Sequence, residues 1–388
     1  MDRVRAAAAG RANGLCPAPG QWPWASVLVL LAALACGGGP PTPTPLIELP
    51  RDHGYHEAPV EWWYFSGHLS AADDREYSFH FAGFNFTGVG VLVPPGMTAR
   101  VLHLSVASPE EGPLLKESRG DVGRGEAPAQ GFRVAIADWS MSGHGEEFRL
   151  TAQGPGDGFD LRLQPVKDVV FHDGDGLLDM GPGGETYYYT YPRLRVDGQV
   201  TAGGVTQDVS GQAWMDHQWG EMVAASIGWD WFSFQLAGNE EAMVFSLWEQ
   251  ETREPVRGGG TFVGSDGDVT YLDEGDVDIS AMGEWTSPRT GVAYPSGWRV
   301  RIPPLGLDLE VLPTHPDAEF GASLFNPRSY WEGQVSVQGS RDGDPVSGTG
   351  FVELVGYEGG RVPGVPKHRR ELTRLGSGAY TYGIQALP

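Results

Sequence analysis

The sequence predicts an all-β chain built as two tandem antiparallel β-barrels, and three observations carry that expectation. Gly 57 and Pro 30 are high for a helical protein, while Trp 13, Tyr 13 and Phe 16 are high for a disordered one. Together they describe many short strands joined by tight turns. Beyond residue 45 the apolar residues recur at period two, and no helix of ordinary length stands out. The 388 residues exceed one small core, and a boundary near residue 222 leaves two roughly similar halves, each of a size suited to one barrel.

Charge narrows the partners. The formal charge is −23; the first 36 residues carry +2 (Arg3, Arg5 and Arg11 against Asp2), which leaves −25 on the remainder. So acidic a body repels nucleic acid and is a poor match for an anionic membrane surface. Cys16 and Cys36 are the two cysteines, both near the N-terminus, so cleavage at or before Cys36 would leave no disulfide in the folded body.

Residues 1–36 read as an export signal. Three arginines precede the apolar run from Trp24 to Ala35, which is shorter than the ~20 residues a membrane-spanning helix needs. Ala33-Leu34-Ala35-Cys36 resembles the lipobox of bacterial lipoproteins, with Ala where Leu is usual. The expectation is therefore an exported lipoprotein, anchored to a membrane through acylated Cys36 and facing the periplasm or cell exterior. Ordinary signal cleavage is the alternative. Residues 37–50, rich in Gly, Pro and Thr, read as a tether.

The first barrel is expected over 51–222. Glu61, Trp63, Phe65 and Gly67 alternate with Trp62, Tyr64, Ser66 and His68. After a turn at 71–75, Tyr77, Phe79 and Phe81 oppose Ser78, His80 and Ala82, and Leu102, Leu104 and Val106 oppose His103 and Ser105. An apolar face backed by a face of His, Ser and Tyr suits a barrel with a partly polar lumen. His53, His56, His68, His80 and His103 all fall here, but the compact spacings of zinc ligands do not, so neither metal nor cofactor is expected. Strands follow over 132–137, 147–152 and 159–164. His172-Asp173-Gly174-Asp175-Gly176 looks like a calcium loop, yet Gly184 stands where an EF-hand needs Glu, and a turn is the better reading. An aromatic strand, Tyr187 to Leu194, precedes the strand from Val205.

That strand runs into Trp214-Met215-Asp216-His217-Gln218-Trp219-Gly220, the densest group of reactive side chains in the sequence. Indoles exclude water, and in that setting a carboxyl stays protonated near neutral pH. A neutral Asp216 can donate a proton and His217 can accept one. A structural reading, with Asp216 in a turn and the tryptophans filling a barrel end, uses the same residues. On a regular strand Asp216 and His217 point to opposite faces, so both line one cavity only if a turn or bulge intervenes.

The second barrel is expected over 223–360. Trp229, Trp231, Ser233 and Gln235 share one face of a strand and Phe232, Phe234 and Leu236 the other. Strands over 243–248, 260–263 and 269–272 continue the meander, and 330–338 and 348–355 close it. Phe65-Ser66-Gly67-His68-Leu69 and Trp331-Glu332-Gly333-Gln334-Val335 share an aromatic-x-Gly-x-aliphatic pattern, a slight sign of relatedness between the halves. Residues 361–388 read as a solvated tail.

Six ordered motifs resemble the carotenoid 1,2-hydratase and AttH family. They are Glu61 to Leu69, Tyr187 to Leu194, Trp214 to Trp219 with Gly228 to Phe232, Tyr294 to Trp298, Tyr330 to Gly333, and Val352 to Tyr357. The resemblance runs from about Gly54 to about Tyr357. It implies two lipocalin-like barrels packed together with an apolar cavity in or between them, and a chemistry that adds water to an isolated carbon–carbon double bond. On that chemistry Asp216 would donate the proton, the faces of Trp214, Trp219, Trp231 and Tyr188 would stabilise a cation, and His217 or Glu61 would orient water. Trp63, Trp229 and Trp331 join the expected ligand-binding set.

Three readings follow. The first is an exported binder of an apolar lipid or isoprenoid. The second is a hydratase or lyase acting on such a molecule through Asp216. The third is an accessory lipoprotein of a membrane export system. A serine hydrolase is disfavoured, because no Gly-x-Ser-x-Gly elbow occurs.

Overall fold

A computed structural model describes residues 44–87, 96–123, 131–223, 226–322 and 328–358, with the backbone of two short paired strands, Thr373–Arg374 and Tyr380–Thr381. The expected signal, Cys36, the first part of the tether and the rest of the tail lie outside the described residues. Helical turns among the described residues are four three-residue 3-10 segments.

Alternating sequence makes strands, and short Gly- and Asp-bearing turns join them antiparallel. The first sheet holds β1 (Val60–Ala71), β2 (Glu76–Thr87), β3 (Thr98–Ser108), β4 (Gly112–Gly123), β5 (Phe132–Ile136), β6 (Trp139–His144), β7 (Glu147–Gln153), β8 (Gly158–Pro165), β9 (Val170–Phe171), β10 (Leu177–Asp179), β11 (Glu185–Ala202) and β12 (Val205–Gly220). Its order is β4-β3-β2-β1-β12-β11-β8-β7-β6-β5, with β9 and β10 on β11. β5 returns against β3 and β4, which curls the sheet into a barrel. The second sheet holds β13 (Ile227–Leu236), β14 (Glu240–Glu249), β15 (Pro255–Val263), β16 (Val269–Leu272) and β17 (Asp278–Ala281). A small hairpin, β18 (Glu284–Thr286) with β19 (Ala293–Pro295), interrupts it. β20 (Trp298–Ile302), β21 (Leu307–Pro313), β22 (Glu319–Phe320), β23 (Tyr330–Arg341) and β24 (Asp344–Val355) complete it. Its order is β16-β15-β14-β13-β24-β23-β21-β20-β17, with β22 on β23. The chain passes from one sheet to the other between Gly220 and Ile227.

Both barrels are filled. Trp63, Phe65, Phe79, Phe81, Trp139 and Met141 pack inside the first; Phe232, Phe234, Tyr294, Trp298 and Trp331 pack inside the second. The expectation that the His, Ser and Tyr face lines the lumen is corrected. The apolar faces of β1, β2 and β3 point into the barrel, and the faces carrying Tyr64, His80 and His103 point outward, where the second barrel buries them. A strand covered on both sides is buried at successive residues, as β12 is from Ala213 to Trp219.

A buried ion cluster ties the barrels together. Glu241 of β14 accepts from Lys167 at 2.6 Å and from the Arg193 guanidinium of β11. Arg193 also donates to Gln212, and Lys167 to the Gly264 carbonyl at 2.7 Å.

Candidate functional site

The signature strand β12 stays regular up to Gly220, so no bulge brings Asp216 and His217 to one side. Gly220 has φ +150°, and a Cβ there would lie 2.5 Å from the Glu185 carbonyl oxygen, so the irregularity sits at the strand's end. Trp214, Asp216 and Gln218 face the second barrel, while Met215, His217 and Trp219 face the first barrel's interior. The strand thus supplies two separate clusters.

The inter-barrel cluster is built on a row of register partners, Thr190, Asp216, Tyr64, Ala82 and His103, across β11, β12, β1, β2 and β3. Opposite it, β13, β24 and β23 present Trp231, Glu353 and Glu332, again direct partners across the sheet. Asp216 is buried and accepts from Trp214 Nε1 at 2.8 Å and from the Thr190 hydroxyl. Burial pushes its carboxyl up to about 7, against the pull of the Thr190, Trp214 and Tyr188 donors. Burial likewise raises Glu353 to about 7, although Trp229 donates its indole N–H to it. Glu332 is held well above the carboxylate range, first by burial and then by the charge of Glu353. Tyr64 donates to Glu332 at 2.9 Å, and Trp231 donates to the Tyr188 hydroxyl at 3.0 Å.

Neutral imidazoles frame this group. His172 bridges the hydroxyls of Thr190 (2.7 Å) and Thr261 (3.0 Å), and burial pushes it down to about 3. His103 contacts the Tyr330 hydroxyl at 2.6 Å and is also lowered by burial to about 3. Among the described residues, neither ring nitrogen of buried His80 has a hydrogen-bond partner, and nor has Ser66 Oγ beside it on β1. A small cleft of about 30 Å³, lined by His80, Lys116, His315, Asp317, Glu332 and Gln334 among others, enters between the barrels here. It is large enough for about one water molecule.

The second cluster lies inside the first barrel. Glu61 Oε1 is 2.8 Å from His56 Nδ1 and 3.0 Å from His217 Nε2. Trp219 stacks on His56 with centroids 3.9 Å apart, and Trp63 stacks on His217 at 4.6 Å. The expectation of no metal rested on spacing along the chain; in space His56, Glu61 and His217 bring three donor atoms within 4.8 Å of one another.

The expected site residues therefore divide. Asp216, Tyr188, Trp214, Trp229 and Trp231 meet between the barrels. Glu61 and His217 belong to the interior cluster with Trp63 and Trp219, so neither orients a water for Asp216, and Trp219 does not flank its carboxyl. Trp331 is a core residue of the second barrel: its indole N–H donates to the Pro316 carbonyl at 2.7 Å and its ring meets Trp298. The sequence reading missed Glu332, Glu353, Tyr64, Thr190 and His172. A signal existed for the two glutamates, since each is a lone carboxyl within an otherwise apolar stretch of strand, Tyr330-Trp331-Glu332 and Phe351-Val352-Glu353-Leu354.

Comparisons with known proteins agree with this architecture. The crystal structure of an AttH protein from Nitrosomonas europaea superposes with a TM-score of 0.69 at 24% identity, covering 82% of this chain and 98% of that one. Kievitone hydratase from Nectria haematococca superposes with a TM-score of 0.63 at 19% identity, covering 77% of this chain and 89% of that one. Both share the fold. In sequence, dehydratase asqC of Emericella nidulans is 24% identical over 226 residues, which is 53% of this chain and 60% of that protein, less than two thirds of its length. The AttH-like family model matches residues 40–357, a span that takes in both barrels and the strands that carry both clusters, and the chain belongs to that family.

Proposed function

We propose that this chain is an acid-catalysing hydro-lyase, which adds water to, or removes it from, a largely apolar substrate held between its two barrels. The observation that carries the reading is Asp216, a buried carboxyl raised to about 7 amid Tyr188, Trp214 and Trp231. A proton donor works best when its pKa lies near the working pH. In hydration, the Asp216 proton would pass to one alkene carbon while the π pair forms the new C–H bond. The adjacent carbon becomes a cation, which the faces of Trp214, Trp231 and Tyr188 stabilise. A water oxygen then bonds to that carbon and gives its surplus proton to an ionised carboxylate of the Glu332–Glu353 pair. Dehydration is the reverse. The unpartnered polar atoms of His80 and Ser66 suit a hydroxyl or water at the polar edge of such a substrate. The names of a hydratase and a dehydratase among similar proteins support the same reaction class. The barrel interiors are filled with side chains and the inter-barrel cleft holds about one water, so on this reading the substrate is admitted as the two facing sheets part beside Asp216. Export and anchoring at Cys36 belong to the same proposal.

The test is turnover in heavy-oxygen water. A panel of apolar trisubstituted alkenes and the matching tertiary alcohols is incubated with the wild-type chain and with Asp216→Asn. The expected result is heavy oxygen in the wild-type alcohol products and a loss of about a hundredfold or more in the variant, the usual scale of general acid catalysis. An apolar ligand that both proteins bind equally and neither converts would make the chain a carrier instead.

A further inference from the structure

We propose that His56, Glu61 and His217 form a binding site for one divalent d-block metal ion of the zinc type. The inter-barrel chemistry leaves all three unused. They converge where β1 starts and β12 ends, with Glu61 and His217 buried and His56 half-buried at the edge, which gives an ion a route in. Two imidazole nitrogens and one carboxylate oxygen make a donor set that suits zinc, iron, cobalt or nickel, and is a poor one for magnesium or calcium. In a tetrahedral site with bonds of ~2.0–2.1 Å the donors stand ~3.3 Å apart. Here Glu61 Oε1 stands 2.8 and 3.0 Å from the two nitrogens, and all three donor atoms lie within 4.8 Å of one another, so side-chain adjustment toward the tetrahedral spacing is what admits the ion.

The groups behind the donors favour the same reading. A metal-bound histidine usually gives its other N–H to a carboxylate or another oxygen. His56 faces Glu61 with Nδ1, and Asp52 Oδ1 lies 3.5 Å from its Nε2. A metal on Nδ1 would leave the ring proton on Nε2, the nitrogen that faces Asp52. For His217, a metal on Nε2 leaves the Nδ1 proton to go to the Tyr189 hydroxyl oxygen at 3.1 Å, and Tyr189 can then donate to His53 Nδ1 at 2.6 Å. No proton in this relay is stranded. Trp219 on His56 and Trp63 on His217 fix both ring planes. Three protein donors leave a fourth position for solvent or a ligand atom.

Cobalt(II) is the probe, because its visible ligand-field bands report coordination without any assay of turnover. The full chain is stripped with chelator, titrated with cobalt chloride and then challenged with zinc. The expected result is one cobalt per chain, tetrahedral ligand-field bands, no thiolate charge-transfer band from Cys16 or Cys36, and displacement by zinc. His56→Ala, at the edge of the site and checked by circular dichroism for an unchanged fold, should weaken binding at least tenfold. Glu61→Gln should weaken it further, and Asp52→Asn by about tenfold, the scale of losing a group behind a ligand. A wild-type chain with no saturable cobalt spectrum, or a folded His56→Ala that binds cobalt as tightly as wild type, would overturn the proposal.

Discussion

Glu332 and Glu353 face each other directly across β23 and β24, and both carboxyls are buried on the side that meets the first barrel. Cross-strand partners lie ~4.5–5.5 Å apart at Cβ, too close for two buried negative charges. The pair therefore holds a proton at neutral pH. Replacing one member by its amide removes the repulsion. Glu332→Gln should raise stability by about 1 kcal/mol or more at about pH 8, where like charges otherwise cost most. Urea unfolding of wild type and variant at that pH checks the sign; a destabilised variant would mean the pair is held by interactions other than a shared proton.

Asp216 makes stability depend on pH in a defined direction. Its folded pKa of about 7 lies above its ordinary 3.8, so the folded state binds more protons between those values. Stability must fall as pH rises through that window and rise again as pH falls back through it, being fully present below 3.8. The gap between the two pKa values corresponds to on the order of 4 kcal/mol between the low-pH and high-pH limits. Asp216→Asn removes this share. The variant's unfolding free energy should vary less than wild type's between about pH 5 and about pH 8, with Glu353 and Asp230, also raised to about 7 mainly by burial, supplying the remainder.

The Glu241 cluster should behave as a structural clamp. Arg193→Met leaves the fully buried Glu241 with Lys167 as its remaining cation and deprives Gln212 of a donor. Breaking a buried ion pair from one side costs about 3–5 kcal/mol. Thermal unfolding should show a loss of that size.

Trp331 separates core from site. Trp331→Ala should cost about 3–5 kcal/mol, as large aromatic deletions in a core do. Because the ring lies inside the second barrel, the folded variant should keep its rate per folded molecule. A Trp331→Ala chain of unchanged stability and much reduced turnover would return this residue to the substrate site.

Much of this was legible in the sequence. Period-two alternation gives the strands, and the opposite faces of Asp216 and His217 follow from that period alone. The alternation in β13, with Trp229 and Trp231 on one side and Phe232 and Phe234 on the other, matches their placement between the barrels and inside the second. What alternation cannot give is which face meets which neighbour. The His, Ser and Tyr face of β1, β2 and β3 reads as a lumen because a lone barrel has one inside, whereas here a second barrel buries the outside as well. Long-range partnerships were equally invisible: Tyr64 with Glu332 and His103 with Tyr330 join residues more than two hundred positions apart. Glu61 and His217, 156 residues apart, meet only because β1 and β12 are neighbours.

Acid catalysis between the barrels requires a protonated carboxyl there at neutral pH, and infrared difference spectroscopy detects one. The carbonyl stretch of a buried protonated carboxyl is followed against pH in wild type and in Asp216→Asn. A band present in wild type, missing in the variant and titrating near pH 7 is the predicted result. If the band lost in the variant titrates instead in the ordinary carboxylate range near about pH 4, Asp216 is ionised at neutral pH and the acid-catalysis account is wrong.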